Sequence, residues 1–231
     1  VLEPFMIPWQ SDIGFLDKTR MPDPPSFQRI FDNIKEGVYY TKEGQSLQVV
    51  KDMPCHFSDA QFEQLLAEFP AAHHAFLVRH PFQMIPSYLK ALSQDANPEG
   101  FTDDIIIADT SYEPMVRAAK RLKEASRNVL VIDAGELLAE PESRLRDLCD
   151  HIGVDFSPAL LHWEPNKIPS SWLDLEHFEG WLDTVVSSNG WMARPRSPPT
   201  YPQVDSALAK KCVDDNLPLF EQLLTCNEAR S

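Results

Sequence analysis

Three short apolar runs, each closed by a charged residue, constrain this chain more than anything else in it. Leu47 to Lys51 (Leu-Gln-Val-Val-Lys), Ala75 to Arg79 (Ala-Phe-Leu-Val-Arg) and Val129 to Asp133 (Val-Leu-Val-Ile-Asp) are rich in β-branched residues. Continuous apolar runs of this length read as strands buried on both faces, the signature of a parallel sheet. Helical patterns separate them: Asp59 to Phe69 after the cap-like Ser58, Phe82 to Ser93, Ser111 to Ser126 and Pro141 to Ile152. Strands alternating with helices predict an α/β fold, a parallel sheet flanked by helices in three layers.

Phe62, Leu65, Leu66 and Phe69 recur at helical spacing, as do Leu145, Leu148, Cys149 and Ile152. These stripes are core faces. Gly153, after His151-Ile152, fits a helix C-cap that needs positive φ. Beyond residue 163 the strand signal gives way to a region rich in Trp and Pro (Trp163, Trp172, Trp181, Trp191), followed by a helix from about Ser206 to Thr225. The expectation is one domain over residues 1–231, with an α/β core over 1–163 and a Trp/Pro-rich cover and C-terminal helix over 164–231.

Composition narrows the function. A formal charge of −14 repels polyanions, which argues against nucleic acid and anionic membrane as partners and requires a local cationic pocket for any anionic cofactor. Ile105 to Ala108 and Val129 to Ile132 fall far short of the roughly 20 residues that cross a bilayer. The start, Val-Leu-Glu-Pro-Phe, carries no visible signal peptide. Cys55, Cys149, Cys212 and Cys226 form no C-x-x-C pair, so reduced thiols in a cytoplasmic protein are expected and a metal knuckle is not. Prolines crowd into 21–25, 165–169 and 195–202, which read as ordered loops.

In open α/β sheets ligands bind beyond the C-terminal ends of the strands, where Lys51, Arg79 and Asp133 fall. Residues 76–88 read Phe-Leu-Val-Arg-His-Pro-Phe-Gln-Met-Ile-Pro-Ser-Tyr. This places Arg79 at a strand end, Pro81 near the first helical position and Ser87 further along the helix. A guanidinium, a hydroxyl and free amides at a helix start together favour a phosphate. The competing reading is an Arg that caps a neighbouring carboxylate and a Ser that packs. Pro86 within the helix predicts a kink.

The pattern Arg-x-Pro-x-x-x-x-x-Ser-Tyr after an apolar strand resembles the 3′-phosphate signature of the sulfotransferase family. The similarity extends over most of residues 1–163, including the stretch from Val129 through Glu-Leu-Leu-Ala-Glu-Pro-Glu to Leu-Cys-Asp-His-Ile-Gly-Val-Asp-Phe. Leu217-Pro218-Leu219-Phe220 echoes a family ending. The resemblance implies a donor, 3′-phosphoadenosine 5′-phosphosulfate (PAPS), leaving 3′-phosphoadenosine 5′-phosphate (PAP) after transfer to a small-molecule hydroxyl or amine acceptor, with no metal. Arg79 and Ser87 inherit the contacts to the 3′-phosphate.

Lys51-Asp52-Met53-Pro54-Cys55-His56-Phe57 resembles the segment that carries the acceptor-activating base in this family, with Met53 where the base is usually found. His56, three residues on, is the candidate general base, since an imidazole suits removal of a proton from an alcohol. Lys51 is the candidate that neutralises a sulfate or phosphate oxygen, and Asp52 orients either it or the His. A surface ion pair at a strand end is the alternative for Lys51. Glu3-Pro4-Phe5 resembles a stretch that lines the acceptor side, just after the family's phosphate loop.

That Gly/Ser/Thr-rich loop, which cradles the 5′-phosphosulfate, has no counterpart here, and neither does the C-terminal Gly-x-x-Gly-x-x-Lys element. The loop and its strand are expected to precede residue 1. The alternative is a protein that has lost them, which removes most transition-state stabilisation and exposes sheet edges, so that a homo-oligomeric contact is then the expected compensation. Ala134-Gly135 replaces the family's Tyr-Glu, and Trp172, Trp181 and Trp191 are either acceptor-pocket walls or packing anchors. Two other functions stay open. One is a nucleotide-dependent kinase, against which the absent Gly-x-x-x-x-Gly-Lys loop counts; the other is a binding or scaffold protein that keeps the fold without turnover.

Overall fold

Two of the three expected strands form in the computed structural model, which describes residues 5–12, 23–38, 47–93, 100–167, 183–191, 200–202 and 206–226. The chain divides into two compact units, Val1–Ala72 with Ile168–Phe178 and His73–Lys167 with Glu179–Ser231.

The first unit holds α1 (Met6–Asp12), α2 (Phe27–Lys35) and α3 (Asp59–Glu68). Ser26 starts α2 by accepting the Arg29 N–H, and Ser58 starts α3 in a reciprocal capping box with Gln61. The helices close on an aromatic core. Phe5 lies 4.8 Å from Phe57, 5.0 Å from Phe31 and 5.6 Å from Phe27, ring centre to ring centre. Leu65 and Phe69 from the α3 stripe pack on the same cluster. Gln64 Nε2 donates to Gln28 Oε1 at 2.8 Å, and Lys35 pairs with Glu68, so polar contacts fasten the outer side of the α2–α3 pair.

The expected strand at Leu47 to Lys51 is not among the described strands. Residues 47–50 are irregular, Lys51 forms an isolated bridge, and Val49 is 64% exposed. The run has the composition of a buried strand, but exposed as it is here it gains none of the packing that makes β-branched residues favourable in a sheet.

The second unit holds β1 (His74–Val78), α4 (Pro81–Leu92), α5 (Asp103–Thr110), α6 (Glu113–Glu124), β2 (Val129–Asp133), α7 (Ala134–Ala139), α8 (Pro141–Ile152), α9 (Asp183–Ser187) and α10 (Ala207–Leu224). The strands pair in parallel, His74 opposite Val129 and Val78 opposite Asp133. Alternation then splits their side chains between two cores. Val78 and Val131 pack with Tyr112, Met115 and Ala119 and with Phe220 and Leu223 of α10. Leu130 and Ile132 face the other way, onto Leu137 of α7 and Leu145 of α8.

Helices thus cover both faces of a parallel sheet, as expected. On the α7–α8 side the cover stops short of β1, where Leu77 is 58% exposed. A third cluster joins Ile85 and Leu92 of α4 and Ile106 of α5 to Ala209, Cys212 and Val213. α10 therefore contributes to two cores and is part of the fold's centre. α6 forms where a helix is expected over Ser111 to Ser126, and α5, capped by Thr102, precedes it as a helix the sequence pattern did not announce. Gly153 ends α8 at φ 74°, the left-handed cap read from the sequence. All four cysteines are free thiols. Among the described residues no helix is long and apolar enough to cross a membrane, and no acidic, His or Cys cluster is suited to hold a metal.

Candidate functional site

Arg79 follows the last residue of β1, and the chain turns at once into α4. His80 makes that turn. Its Nδ1 accepts the Phe82 N–H at 3.2 Å, and its carbonyl accepts from Gln83 at 2.9 Å and Met84 at 3.0 Å. Pro81, at the first helical position, has no N–H to offer. This corrects one expectation: the amides at the α4 start are not free for a phosphate, because His80 uses them. The polar groups exposed at this turn are side chains.

Between residues 79 and 90 the exposed positions are Arg79, which precedes α4, and Gln83, Ser87 and Lys90, which share one face of α4 at spacings of four and three. Lys90 stands one turn beyond Ser87. Sequence reading passed over Lys90, although its i+3 relation to Ser87 was the available signal. Pro86 sits inside α4 without ending it; its missing N–H leaves the Phe82 carbonyl without the usual partner four residues on.

Behind this face lies a buried polar arrangement. Tyr112, at the N-cap of α6, sends its hydroxyl to Arg79, where it accepts the backbone N–H at 3.1 Å and donates to the backbone carbonyl of the same residue. The Tyr112 N–H donates to Asn216 Oδ1 at 2.7 Å, and Asn216 Nδ2 donates to the Cys212 carbonyl at 2.7 Å. Burial pushes the Tyr112 phenol up to about 12, against the lowering by the Arg79 backbone bond and guanidinium.

The His80 ring lies edge-on to Phe82 and Phe220, 4.5 and 5.0 Å away. Burial lowers its pKa, while Asp133 and Glu221 act in the opposite direction. Asp133 Oδ1 accepts the Gly135 N–H at 2.6 Å, so its carboxylate starts α7.

The other candidates lie in the first unit. His56 is 4% exposed and ends a 3-10 turn, Pro54–His56. Its Nδ1 is 2.5 Å from Asp52 Oδ1. Asp52 also accepts the Met53 N–H on Oδ1 and the Phe5 N–H on Oδ2, both at 2.8 Å. Of the two partners that the sequence offered Asp52, it is His56 that the carboxylate contacts. Lys51 is exposed. Glu3, Pro4, Trp172 and Trp181 lie outside the described residues.

Trp191 is a packing anchor. Its ring joins the Leu130 core and meets Trp163 edge-on at 5.7 Å, and its Nε1 donates to the Leu160 carbonyl at 2.9 Å.

The second unit is thus a parallel α/β unit with an arginine at a strand end and a serine on the following helix. The structure resembles that of the sulfotransferase domain from the curacin biosynthetic pathway, with a TM-score of 0.52 at 17% identity, covering 89% of this chain and 76% of that one. Residues 17–158 match the sulfotransferase family, and the chain belongs to that family.

Two Arabidopsis thaliana proteins named branched-chain-amino-acid aminotransferase-like protein 2 and protein 1 are 29% and 28% identical to it over 154 and 150 residues. Those matches cover 67% and 65% of this chain and 24% of each relative. The chain thus spans about a quarter of the length of these relatives.

Proposed function

We propose that the protein binds PAPS through Arg79 and Ser87 and supports transfer of its sulfuryl group to a hydroxyl or amine acceptor. The observation that carries this reading is that Arg79 is exposed just past the end of β1 while Ser87 and Lys90 are exposed on one face of the helix that follows at once. A 3′-phosphate is a compact dianion. It is matched by a guanidinium that donates in a fork and a hydroxyl that adds a further donor, with the Lys90 ammonium as an additional cation. In a chain with a formal charge of −14, such a grouping is a local exception to the field of the molecule.

The donor supplies the sulfuryl group, and the chain supplies orientation and proton removal. His56, whose ring the buried Asp52 carboxylate holds through Nδ1, is the group that takes the acceptor proton. Lys51 neutralises a sulfate oxygen.

The test is calorimetry with PAP and with adenosine 5′-monophosphate, which lacks the 3′-phosphate. The wild-type chain prefers PAP, and Arg79→Ala removes about 2 to 3 kcal/mol of that preference, the range for hydrogen bonds to charged groups. Equal affinity of wild type and Arg79→Ala for PAP would sink the proposal.

A further inference from the structure

We infer that Tyr112 is a positioning residue for the anion site: its hydroxyl clips the Arg79 peptide units, and Asn216 holds Tyr112 in place from α10. The inference rests on the reading of Arg79 as a 3′-phosphate ligand and adds how that ligand is held.

Arg79 lies one residue past the end of β1, where the ladder with β2 stops at Val78 and Asp133. Arg79 itself is exposed, and its backbone groups meet a side chain where those of Val78 lie in the ladder. In an extended residue the N–H and C=O point to the same side, so one hydroxyl can answer both. The Tyr112 hydroxyl does so, accepting from the Arg79 N–H at 3.1 Å and donating to its carbonyl. One hydroxyl thus continues, for one residue, the pairing that the ladder gives Val78.

The anchor behind the clip is rigid. Tyr112 is 8% exposed, its ring packed with Val78, Met115 and Phe220. Asn216, 3% exposed, accepts the Tyr112 N–H through Oδ1 and donates through Nδ2 to the Cys212 carbonyl, so it spans from its own helix to the start of α6. The bonds run from α10 through the α6 N-cap to the strand end. A guanidinium recognises a phosphate by direction, and the backbone that launches it must hold its direction too. A Tyr in the chain's middle and an Asn near its end supply that stiffness.

The phenol's raised pKa keeps the clip intact over the working range, because the hydroxyl must keep its proton to donate to the carbonyl.

Tyr112→Phe keeps the ring and deletes the clip. The expected result is about tenfold weaker binding of PAP with affinity for adenosine 5′-monophosphate unchanged, the size of one or two lost hydrogen bonds. In an Arg79→Ala background the same change produces no further loss, since the clip acts only through Arg79. Amide hydrogen exchange on the wild-type chain reads the clip without any variant: the Arg79 N–H exchanges as slowly as that of Val78. Fast exchange at Arg79, or an unchanged preference for PAP in Tyr112→Phe, overturns the inference. Wild-type protein that binds both nucleotides equally, with a slowly exchanging Arg79 amide, instead overturns the donor-site reading and with it the ligand named here.

Discussion

The Asp52 carboxylate meets Nδ1 of His56 at 2.5 Å, four residues away across a single 3-10 turn, with both side chains less than 10% exposed. The same carboxylate accepts two backbone N–H groups, from Phe5 and Met53. Three donors therefore converge on one buried acid, tying residue 5 to the loop before α3.

Replacing it is costly because each donor is left without its acceptor. Asp52→Ala should destabilise the protein by about 3 kcal/mol, as breaking a buried, hydrogen-bonded pair does. Asp52→Asn keeps an acceptor oxygen and should cost about half as much. Urea unfolding followed by the intrinsic fluorescence of the tryptophans separates the two; equal, negligible losses would show that the pair contributes nothing to stability.

Lys90 and Ser87 should differ in how salt acts on them. Ser87→Ala removes a neutral donor and should weaken PAP binding about fivefold at any ionic strength. Lys90→Ala removes an exposed charge one turn away. Its effect should be largest at low salt and fade as the Debye length shrinks to about 8 Å at physiological ionic strength. Titrations at two salt concentrations check both.

His74, at the start of β1, is held at about 4 by burial, with Arg127, His151 and His73 adding to the effect. Its folded pKa lies below the ordinary value of 6.5, so above that value both folded and unfolded states are neutral and the residue adds no pH dependence. As pH falls below 6.5 the unfolded chain binds a proton that the folded chain refuses, and stability is lost until pH 4. The loss is about 3 kcal/mol over that window. His74→Gln should flatten this part of the curve, measured by chemical unfolding at pH 7, 6, 5 and 4.

Local signals were legible. β2 occupies the expected Val129–Asp133, α8 the expected Pro141–Ile152, and β1 is displaced by one residue. Period, caps and β-branching are written within a few residues of where they act. The placement of Arg79 at a strand end and of Ser87 on the following helix was legible for the same reason. Tyr112 was not: it serves Arg79 from 33 residues away through a hydroxyl bound to backbone, and nothing in its neighbourhood marks it. His80 was read past because a helix start next to Arg79 suggested free amides, whereas its own ring and carbonyl occupy them. The 47–51 run failed for the converse reason. A strand needs neighbours, and composition does not say whether they are there.

Two glycines make that contrast testable. Gly153 was legible because a helix that ends on His151-Ile152 needs a left-handed residue, and its φ is 74°. A Cβ there meets nothing within 4 Å, so the requirement is conformational. Gly153→Ala should cost about 1 kcal/mol and Gly153→Asn less, because Asn tolerates the left-handed region. Gly190 carries the opposite constraint. It bridges His162 across an antiparallel contact, and a Cβ would lie 2.9 Å from the Leu161 carbonyl oxygen and 3.1 Å from His162 Nδ1. The obstruction is backbone, which has little room to yield, so Gly190→Ala and Gly190→Asn should both destabilise by about 1 to 3 kcal/mol. Thermal unfolding of the four variants decides between the two causes. Rescue by Asn belongs to position 153 alone, and an Asn at 190 that unfolds like wild type would mean that the bridge to His162 opens at no cost.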